Sequence, residues 1–114
     1  MKQPLIAIPG KLSPEAIGHR TPVVSCGQNY IDAVHRAGGL PIIVSPTNDR
    51  DVIASTLARC DGMLMIGGGD VSPTKYGATE WARLSGVNEF LDEFEIAACN
   101  HAIETEMPIL AVCR

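Results

Sequence analysis

Four short apolar runs constrain the fold of this chain most strongly, because each run is continuous rather than alternating. The runs are Leu5 to Ile8, Leu40 to Val44, Met63 to Ile66 and Ile109 to Val112. Strands of a parallel sheet have this pattern when helices cover both faces, since side chains on either side are then buried. The chain therefore predicts parallel strands, which need long crossover connections.

The segments between these runs have helical periodicity. Their apolar residues are, in order, Tyr30, Ile31, Val34 and Ala37; Ile53, Ala54, Leu57 and Ala58; and Phe90, Leu91, Phe94, Ala97 and Ala98. Gly38-Gly39 is a typical stop for the first helix, and Thr47 and Asn48 are expected to open the second. This alternation predicts the α/β class, with a doubly wound, flavodoxin-like parallel sheet and helices on both faces.

Composition and charge favour a soluble domain that binds a small molecule. The chain has 114 residues, of which 46% are hydrophobic and 19% charged, and its net charge is -4. Without a run of Lys or Arg, it lacks the electrostatic basis for binding nucleic acid. No stretch approaches the roughly 18 apolar residues of a membrane span, so no membrane partner is expected.

The start of the chain and its cysteines indicate a reducing compartment. The first apolar run is broken by Pro9 and Gly10 and is too short for a signal peptide, so a cytoplasmic location is expected. The cysteines are Cys26, Cys60, Cys99 and Cys113. Their wide spacing matches no metal motif, which favours free thiols and predicts neither a metal nor another cofactor.

Cys113 follows the last apolar run, where an α/β sheet normally begins a helix. A thiol at a helix N-terminus has its pKa lowered by the helix dipole, which favours the nucleophilic thiolate. A strand that ends in a nucleophile is also how a nucleophile elbow begins. From the spacing alone, a single cysteine after one apolar run is more typical of a small buried hydrophobic residue.

A glycine triplet follows the third run, in the segment Gly67-Gly68-Gly69-Asp70. Glycines at the carboxyl end of a strand let backbone N–H groups face a ligand without obstruction by side chains. The segment is compatible with an oxyanion hole, a phosphate cradle or a tight turn. It lacks the spacing of a dinucleotide fingerprint or a P-loop.

Two loops and the remaining titratable groups complete the pattern. Segments 11–24 and 67–87 are rich in Gly and Pro and are predicted to be loops at the carboxyl ends of strands, where such sheets bind ligands. No spacing pairs His19, His35 or His101 with Cys113 as a base. The acid-rich stretch Glu89, Asp92, Glu93 and Glu95 is expected to form a solvated helix face near the positive end of the helix dipole.

Four segments taken together resemble the class I glutamine amidotransferase-like superfamily, and within it the gamma-glutamyl-gamma-aminobutyrate hydrolase branch. They read AGGLPI at 37–42, DGMLMIGGGDVSP at 61–73 with Tyr76-Gly77, DEFE at 92–95 and PILAVCR at 108–114. The resemblance implies that residues 1–114 are the amino-terminal part of a single domain of this type, so that the sheet is incomplete as given.

The resemblance also implies residue roles. Cys113 would attack the carbonyl carbon of a gamma-glutamyl amide and carry the glutamyl group as a thioester. The N–H groups of Gly68, within Gly67 to Gly69, and of Arg114 would bind the oxyanion. The substrate mouth would be shaped by Asp70, Pro73 and Tyr76. Two alternatives stay open: a glutaminase module that passes ammonia to a synthetase, and a non-catalytic flavodoxin-like binding module.

The sequence departs from the family pattern in two ways. Leu91 stands where the family usually has Arg before Asp92. The His and acidic residue that activate the cysteine in the family are absent, so residues 1–114 alone are expected to be inactive. The strand leading to Cys113 would also be an open edge, which predicts a homo-oligomer or a complementary chain that covers it.

Overall fold

The computed structural model describes residues 2–13, 18–68, 71–77 and 87–113. The elements along the chain are β1 (Leu5–Pro9), β2 (Lys11–Ser13), β3 (Val23–Ser25), α1 (Gln28–Arg36), β4 (Leu40–Val44), α2 (Arg50–Leu57), β5 (Gly62–Met65), a short 3-10 helix (Pro73–Tyr76), α3 (Glu89–Glu104) and β6 (Ile109–Ala111). All four predicted strands and all three predicted helices are present, with ends that differ by a few residues.

The main sheet has four parallel strands in the order β4-β1-β5-β6. β1 pairs with β4 from Leu5↔Leu40 to Pro9↔Val44. On its other side β1 pairs with β5, and β5 pairs with β6. The prediction of a parallel α/β sheet is therefore confirmed, and the chain reverses its direction of growth at β1, as doubly wound sheets do.

Helices cover both faces of this sheet, as predicted. Alternate strand residues point to opposite faces. On the face covered by α2 and α3, the core consists of Ala7, Val44, Ile53, Leu57, Met63, Met65, Phe94, Ala98 and Ala102. On the face covered by α1, it consists of Ile8, Val34, Leu64 and Ile66. The central strands β1 and β5 send alternate residues into both clusters, whereas the edge strand β4 keeps Leu40, Ile42 and Ile43 more than 40% exposed.

The start of α2 differs from the sequence prediction by one or two residues. Asp49 is the N-cap residue, and its carboxylate accepts hydrogen bonds from the N–H groups of Asp51 and Val52. The hydroxyl of Thr47 instead accepts from the Asp49 N–H in the preceding turn. An ionised cap also interacts favourably with the helix dipole, which explains why Asp49 takes this position.

The prediction that residues 11–24 form a loop is wrong at both ends of that segment. β2 and β3 pair antiparallel, from Lys11↔Ser25 to Ser13↔Val23. Gly10 allows this ribbon to cross the end of the sheet closely, because a β-carbon at Gly10 would lie only 2.6 Å from the Val24 side chain. The ribbon brings Lys11 to the carboxyl edge of the main sheet.

β6 is the outer strand of the sheet on the side away from β4. Leu110 is 64% exposed there, and an apolar groove of about 350 Å³ runs between α1 and β6. The homo-oligomer or complementary chain expected to cover this edge stays a prediction. Among the helices that the structure describes, none has the length and apolar character needed to cross a membrane.

Phe94 tests the packing of α3 on the sheet, because it is 1% exposed in the larger core. We expect Phe94→Ala to lower the free energy of unfolding by about 3–5 kcal/mol through lost burial and a residual cavity. Ile103→Ala on the same helix is the matched control, since Ile103 is 65% exposed, and should change it by less than about 0.5 kcal/mol. Urea unfolding followed by circular dichroism measures both; equal losses would contradict the described packing.

Candidate active site

The register of β5 against β6 brings the glycine segment and Cys113 together. Met65 pairs with Ala111, the last residue of β6. Two residues further along each strand are Gly67 and Cys113, which therefore lie side by side at the carboxyl edge of the sheet. A β-carbon built on Gly67 would be 3.3 Å from Cβ of Cys113. This closeness leaves little room for a side chain at Gly67.

The backbone of Cys113 has a φ of 65°, in the left-handed region that non-glycine residues seldom adopt. Strained conformations of this kind cluster at functional sites, and a sharp turn directly after a strand is the geometry of a nucleophile elbow. The Cys113 residue is exposed. Its position and conformation fit the predicted nucleophile, whose catalytic role stays a proposal.

The other three cysteines are half-buried. Burial raises the pKa of the Cys26 thiol. Burial and the nearby Asp61 carboxylate raise the pKa of Cys60, and burial and Glu95 raise the pKa of Cys99. A raised pKa lowers the thiolate fraction at neutral pH, so these residues are poorly suited to act as nucleophiles.

Tyr30 lies against the same glycine segment. The Gly67 N–H donates a hydrogen bond to Tyr30 Oη at 3.4 Å, and this oxygen would be 3.5 Å from a β-carbon at Gly67. The sequence predicts Tyr30 only as part of the apolar stripe of α1. Its phenol oxygen instead accepts the Gly67 N–H, so this N–H already has a partner within the protein.

A cleft of about 180 Å³ opens beside Cys113, between α3 and the ends of β5 and β6. Its apolar lining consists of Met65, Ile66, Val71, Ile96, Cys99 and Ala111. Its polar lining consists of Asp92, Glu95 and Cys113. A mostly apolar cleft with a few convergent polar groups has the character of a small-molecule site.

The prediction that the acidic residues of α3 form a solvated face is wrong for two of them. Asp92 is 1% exposed and Glu95 is 6% exposed. Glu95 follows Leu91 by four residues and precedes Ala98 by three, so it occupies the buried stripe of the helix. That spacing is the sequence signal by which Glu95 could have been identified as a buried carboxylate.

Both buried carboxylates contact segments that frame the site. The Asp92 carboxylate accepts a hydrogen bond from the Ser72 N–H at 2.9 Å, which ties the segment after the glycines to α3. Glu95 forms an ion pair with Lys11, with 2.8 Å between Oε2 and Nζ. The Lys11 side chain in turn passes over Gly68, since a β-carbon there would be 3.1 Å from Nζ.

The structure describes only some of the remaining predicted site residues. Gly69, Asp70 and Arg114 lie outside the described residues. Tyr76 ends the short 3-10 helix with its side chain mostly exposed, and it is not among the residues that line the cleft. Its role at the substrate mouth stays a prediction.

The structure places two histidines away from Cys113. His35 and His101 are in the last turns of α1 and α3, near the amino ends of the strands, whereas Cys113 is at the carboxyl edge. Within the described ranges, no group of three or more His, Cys, Asp or Glu residues could hold a metal ion.

Comparison with known proteins identifies the family. The Peptidase C26 profile matches residues 4–114, and the chain belongs to this family. This match confirms the resemblance to class I glutamine amidotransferase-like proteins that the glycine segment and Cys113 suggested.

Three relatives illustrate the range of the family. A glutamine amidotransferase-like protein, the YvdE homolog of Lactococcus lactis subsp. cremoris, is 38% identical over 87 residues, covering 76% of this chain and 46% of the relative. Protein NtpR of Enterococcus hirae is 33% identical over 87 residues, with 76% and 36% covered. The gamma-glutamyl-gamma-aminobutyrate hydrolase PuuD of Escherichia coli is 30% identical over 99 residues, with 85% and 37% covered. The chain spans less than half the length of these relatives.

Thiol alkylation tests the differences between the cysteines. At neutral pH we expect iodoacetamide to modify Cys113 first, because it is exposed, while Cys26, Cys60 and Cys99 react about tenfold more slowly. Because the pKa of each of these three thiols is raised, their rates should keep climbing as the pH is raised above their ordinary pKa. Peptide mass spectrometry over time gives each rate. Modification of Cys26 or Cys60 as fast as Cys113 would contradict the described site.

Proposed function

We propose that the protein is a cysteine-dependent hydrolase of gamma-glutamyl amides. The observation that carries this proposal is the placement of Cys113, in a left-handed conformation at the end of β6, directly beside Gly67. Membership of the Peptidase C26 family and the similarity to PuuD support a hydrolase. The gamma-glutamyl substrate and the covalent mechanism are part of this proposal.

The reaction proposed here has two stages. The Cys113 thiolate attacks the gamma-carbonyl carbon, and the carbon–nitrogen bond breaks as the amine takes up a proton and leaves. The glutamyl group is then held on Sγ as a thioester. Water adds to the same carbon, the carbon–sulfur bond breaks, and glutamate leaves while the thiol is restored.

Backbone N–H groups would stabilise the oxyanion in both stages. The glycine segment lies beside the attacking atom, and the Gly68 N–H is the donor we assign to it. The Arg114 N–H, directly after the nucleophile, is the second donor by analogy with nucleophile elbows. Such donors are already oriented towards the position where the negative charge develops. Removing one typically lowers kcat by about 10²–10³-fold.

The proton of the Cys113 thiol needs an acceptor. His35 and His101 lie at the opposite end of the sheet, so neither is assigned this role. We expect the polypeptide of residues 1–114 by itself to release glutamate at a negligible rate, because the His and acidic residue that the family resemblance implies as activators of the thiol have no counterpart in it. The free cysteines fit a reducing compartment, and on that basis we also propose a cytoplasmic location.

A glutaminase is the second candidate, because several relatives are described as glutamine amidotransferase-like. Both candidates use the same thiol and the same oxyanion donors, so the site geometry does not separate them. A comparison of the rates on glutamine and on gamma-glutamyl-aminobutyrate separates the two candidate activities. A higher kcat/KM for free glutamine would favour the glutaminase, and the reverse order would favour the hydrolase.

Replacement of the nucleophile tests the enzymatic proposal in the full-length gene product. We expect Cys113→Ser to lower glutamate release from gamma-glutamyl-aminobutyrate by about 10⁴-fold or more. Cys26→Ser is the matched control, since Cys26 is a half-buried thiol on the α1 face, and should retain its activity. Glutamate is measured with a coupled dehydrogenase assay.

Two results would argue against the hydrolase. Activity that survives in Cys113→Ser would exclude Cys113 as the nucleophile. A full-length protein that is inactive on every gamma-glutamyl amide and on glutamine, yet folded by circular dichroism, would favour the non-catalytic binding module.

A further inference from the structure

We propose that Lys11 and Glu95 bind the α-carboxylate and the α-ammonium group of the substrate's glutamyl moiety. This inference rests on the proposed function, because it assigns the residues that recognise the non-reacting end of the same substrate. Neither residue was expected to have a role from the sequence. Their juxtaposition beside the glycine segment is the observation that suggests it.

Lys11 reaches this position because of the β2–β3 ribbon. The side chain extends from the first residue of β2 across Gly68 to Glu95 on α3, with Nζ 2.8 Å from Oε2. The Glu95 side chain also lines the cleft that contains Cys113. Glu95 therefore borders the space next to the proposed nucleophile, and Lys11 reaches the edge of this space through its contacts with Glu95 and Gly68.

The spacing fits a glutamyl group. Cys113 lies beside Gly67 and Lys11 lies beside Gly68, and consecutive α-carbons are about 3.8 Å apart across a trans peptide. In a gamma-glutamyl amide, three carbon–carbon bonds separate the reacting carbonyl carbon from the α-carbon, roughly 4 Å when extended. A substrate in the cleft with its carbonyl at Cys113 can therefore extend its α-carbon towards Glu95, which lines the same cleft, and towards Lys11, which is paired with Glu95.

The charges are complementary to a zwitterion rather than to a simple anion. Lys11 and Glu95 present one charge of each sign at the same place. A glutamyl α-carbon carries one group of each sign, which an ammonium and a carboxylate can bind together. The Lys11 ammonium has three donors and gives one to Glu95, so it can also donate to a substrate carboxylate.

The burial of this pair also distinguishes it from an ordinary surface contact. Lys75 and Glu93, the other ion pair in the described part of the chain, are more exposed and separated by 3.3 Å. The Lys11 and Glu95 side chains are only 18% and 7% exposed, so each loses much of its hydration. A buried pair is often no more stabilising than apolar residues of the same size, which makes a binding role a reason for its presence.

Three anilides separate the two recognition contacts. Gamma-glutamyl-p-nitroanilide has both α-substituents, 4-aminobutyryl-p-nitroanilide lacks the carboxylate, and glutaryl-p-nitroanilide lacks the ammonium. For the full-length protein, Lys11→Gln should lower kcat/KM on the gamma-glutamyl anilide by about 10- to 100-fold and leave the 4-aminobutyryl anilide nearly unchanged. Glu95→Gln should show the same contrast against the glutaryl anilide.

Controls account for changes in folding. Arg59→Gln removes a cation near the start of β5, at the other end of the sheet, and should leave all three rates unchanged. The double variant Lys11→Gln, Glu95→Gln replaces the charges by two amides that can hydrogen-bond to each other. It keeps the test valid if either single variant unfolds, and it should lose preference for the gamma-glutamyl anilide.

A second readout does not depend on turnover. L-glutamate should protect Cys113 of the wild type from iodoacetamide more strongly than glutarate or 4-aminobutyrate does. In Lys11→Gln, the concentration of glutamate that gives half protection should rise by about tenfold or more. If the wild type hydrolyses no amide but shows this Lys11-dependent protection, the hydrolase proposal fails and the recognition proposal stands.

Three outcomes would overturn the recognition proposal. An equal loss of activity on all three anilides in Lys11→Gln would show that the pair only holds the glycine segment in place. Unchanged activity on all three would show no role at all. Absence of glutamate protection in the wild type would show that the α-substituents are not bound at this site.

Discussion

The parallel pairing of β5 with β6 is the constraint on which the proposed site depends. Each strand is short, and its last residue is fixed in register with its neighbour by the ladder that ends at Met65 and Ala111. A slip of one residue would turn Cys113 to the other face of the sheet and away from Gly67. Gly67 and Cys113 each follow this last pair by two residues, so the register places them side by side.

Helix α3 supports this arrangement from one side. It packs on the sheet through apolar residues such as Phe94 and Ala98, yet two carboxylates lie among them. A buried carboxylate is costly unless it is hydrogen-bonded or paired with a cation. Asp92 meets this requirement through the Ser72 N–H, and Glu95 through Lys11. These two contacts connect α3, the glycine segment and the β2–β3 ribbon, so that elements distant in sequence frame a common edge.

The sequence predicted the sheet well, because each of its strands has a strong local signal. Continuous apolar runs identified every strand of the main sheet, and the 3.6-residue spacing identified the helices. The glycine segment and Cys113 were also identified, since glycines and a thiol at strand ends have recognisable chemistry. Their contact with each other depended on strand order, which the alternation of elements and the family resemblance indicated.

Residues whose position depends on distant partners were harder to predict. The β2–β3 ribbon was missed because it consists of two three-residue strands in a segment rich in Pro and Gly, and a pairing of that kind has little local signal. Lys11 and Tyr30 were missed for a related reason, since each contacts a glycine that is more than 35 residues away. The helical spacing of Leu91, Glu95 and Ala98 indicates that Glu95 is buried. Its position in an acid-rich stretch favours a solvated face instead, and that prediction is wrong for Glu95.

The most direct test of the account is covalent capture of Cys113 by a glutamine analogue that has a reactive diazoketone in place of the side-chain amide. Such a reagent alkylates a thiol that is positioned for attack beside a bound glutamyl group, with loss of nitrogen. In the full-length protein, we predict a single adduct on the peptide that contains Cys113, and we expect excess L-glutamate to suppress the formation of this adduct. An adduct on Cys26, Cys60 or Cys99 instead, or no adduct on a folded protein, would contradict it.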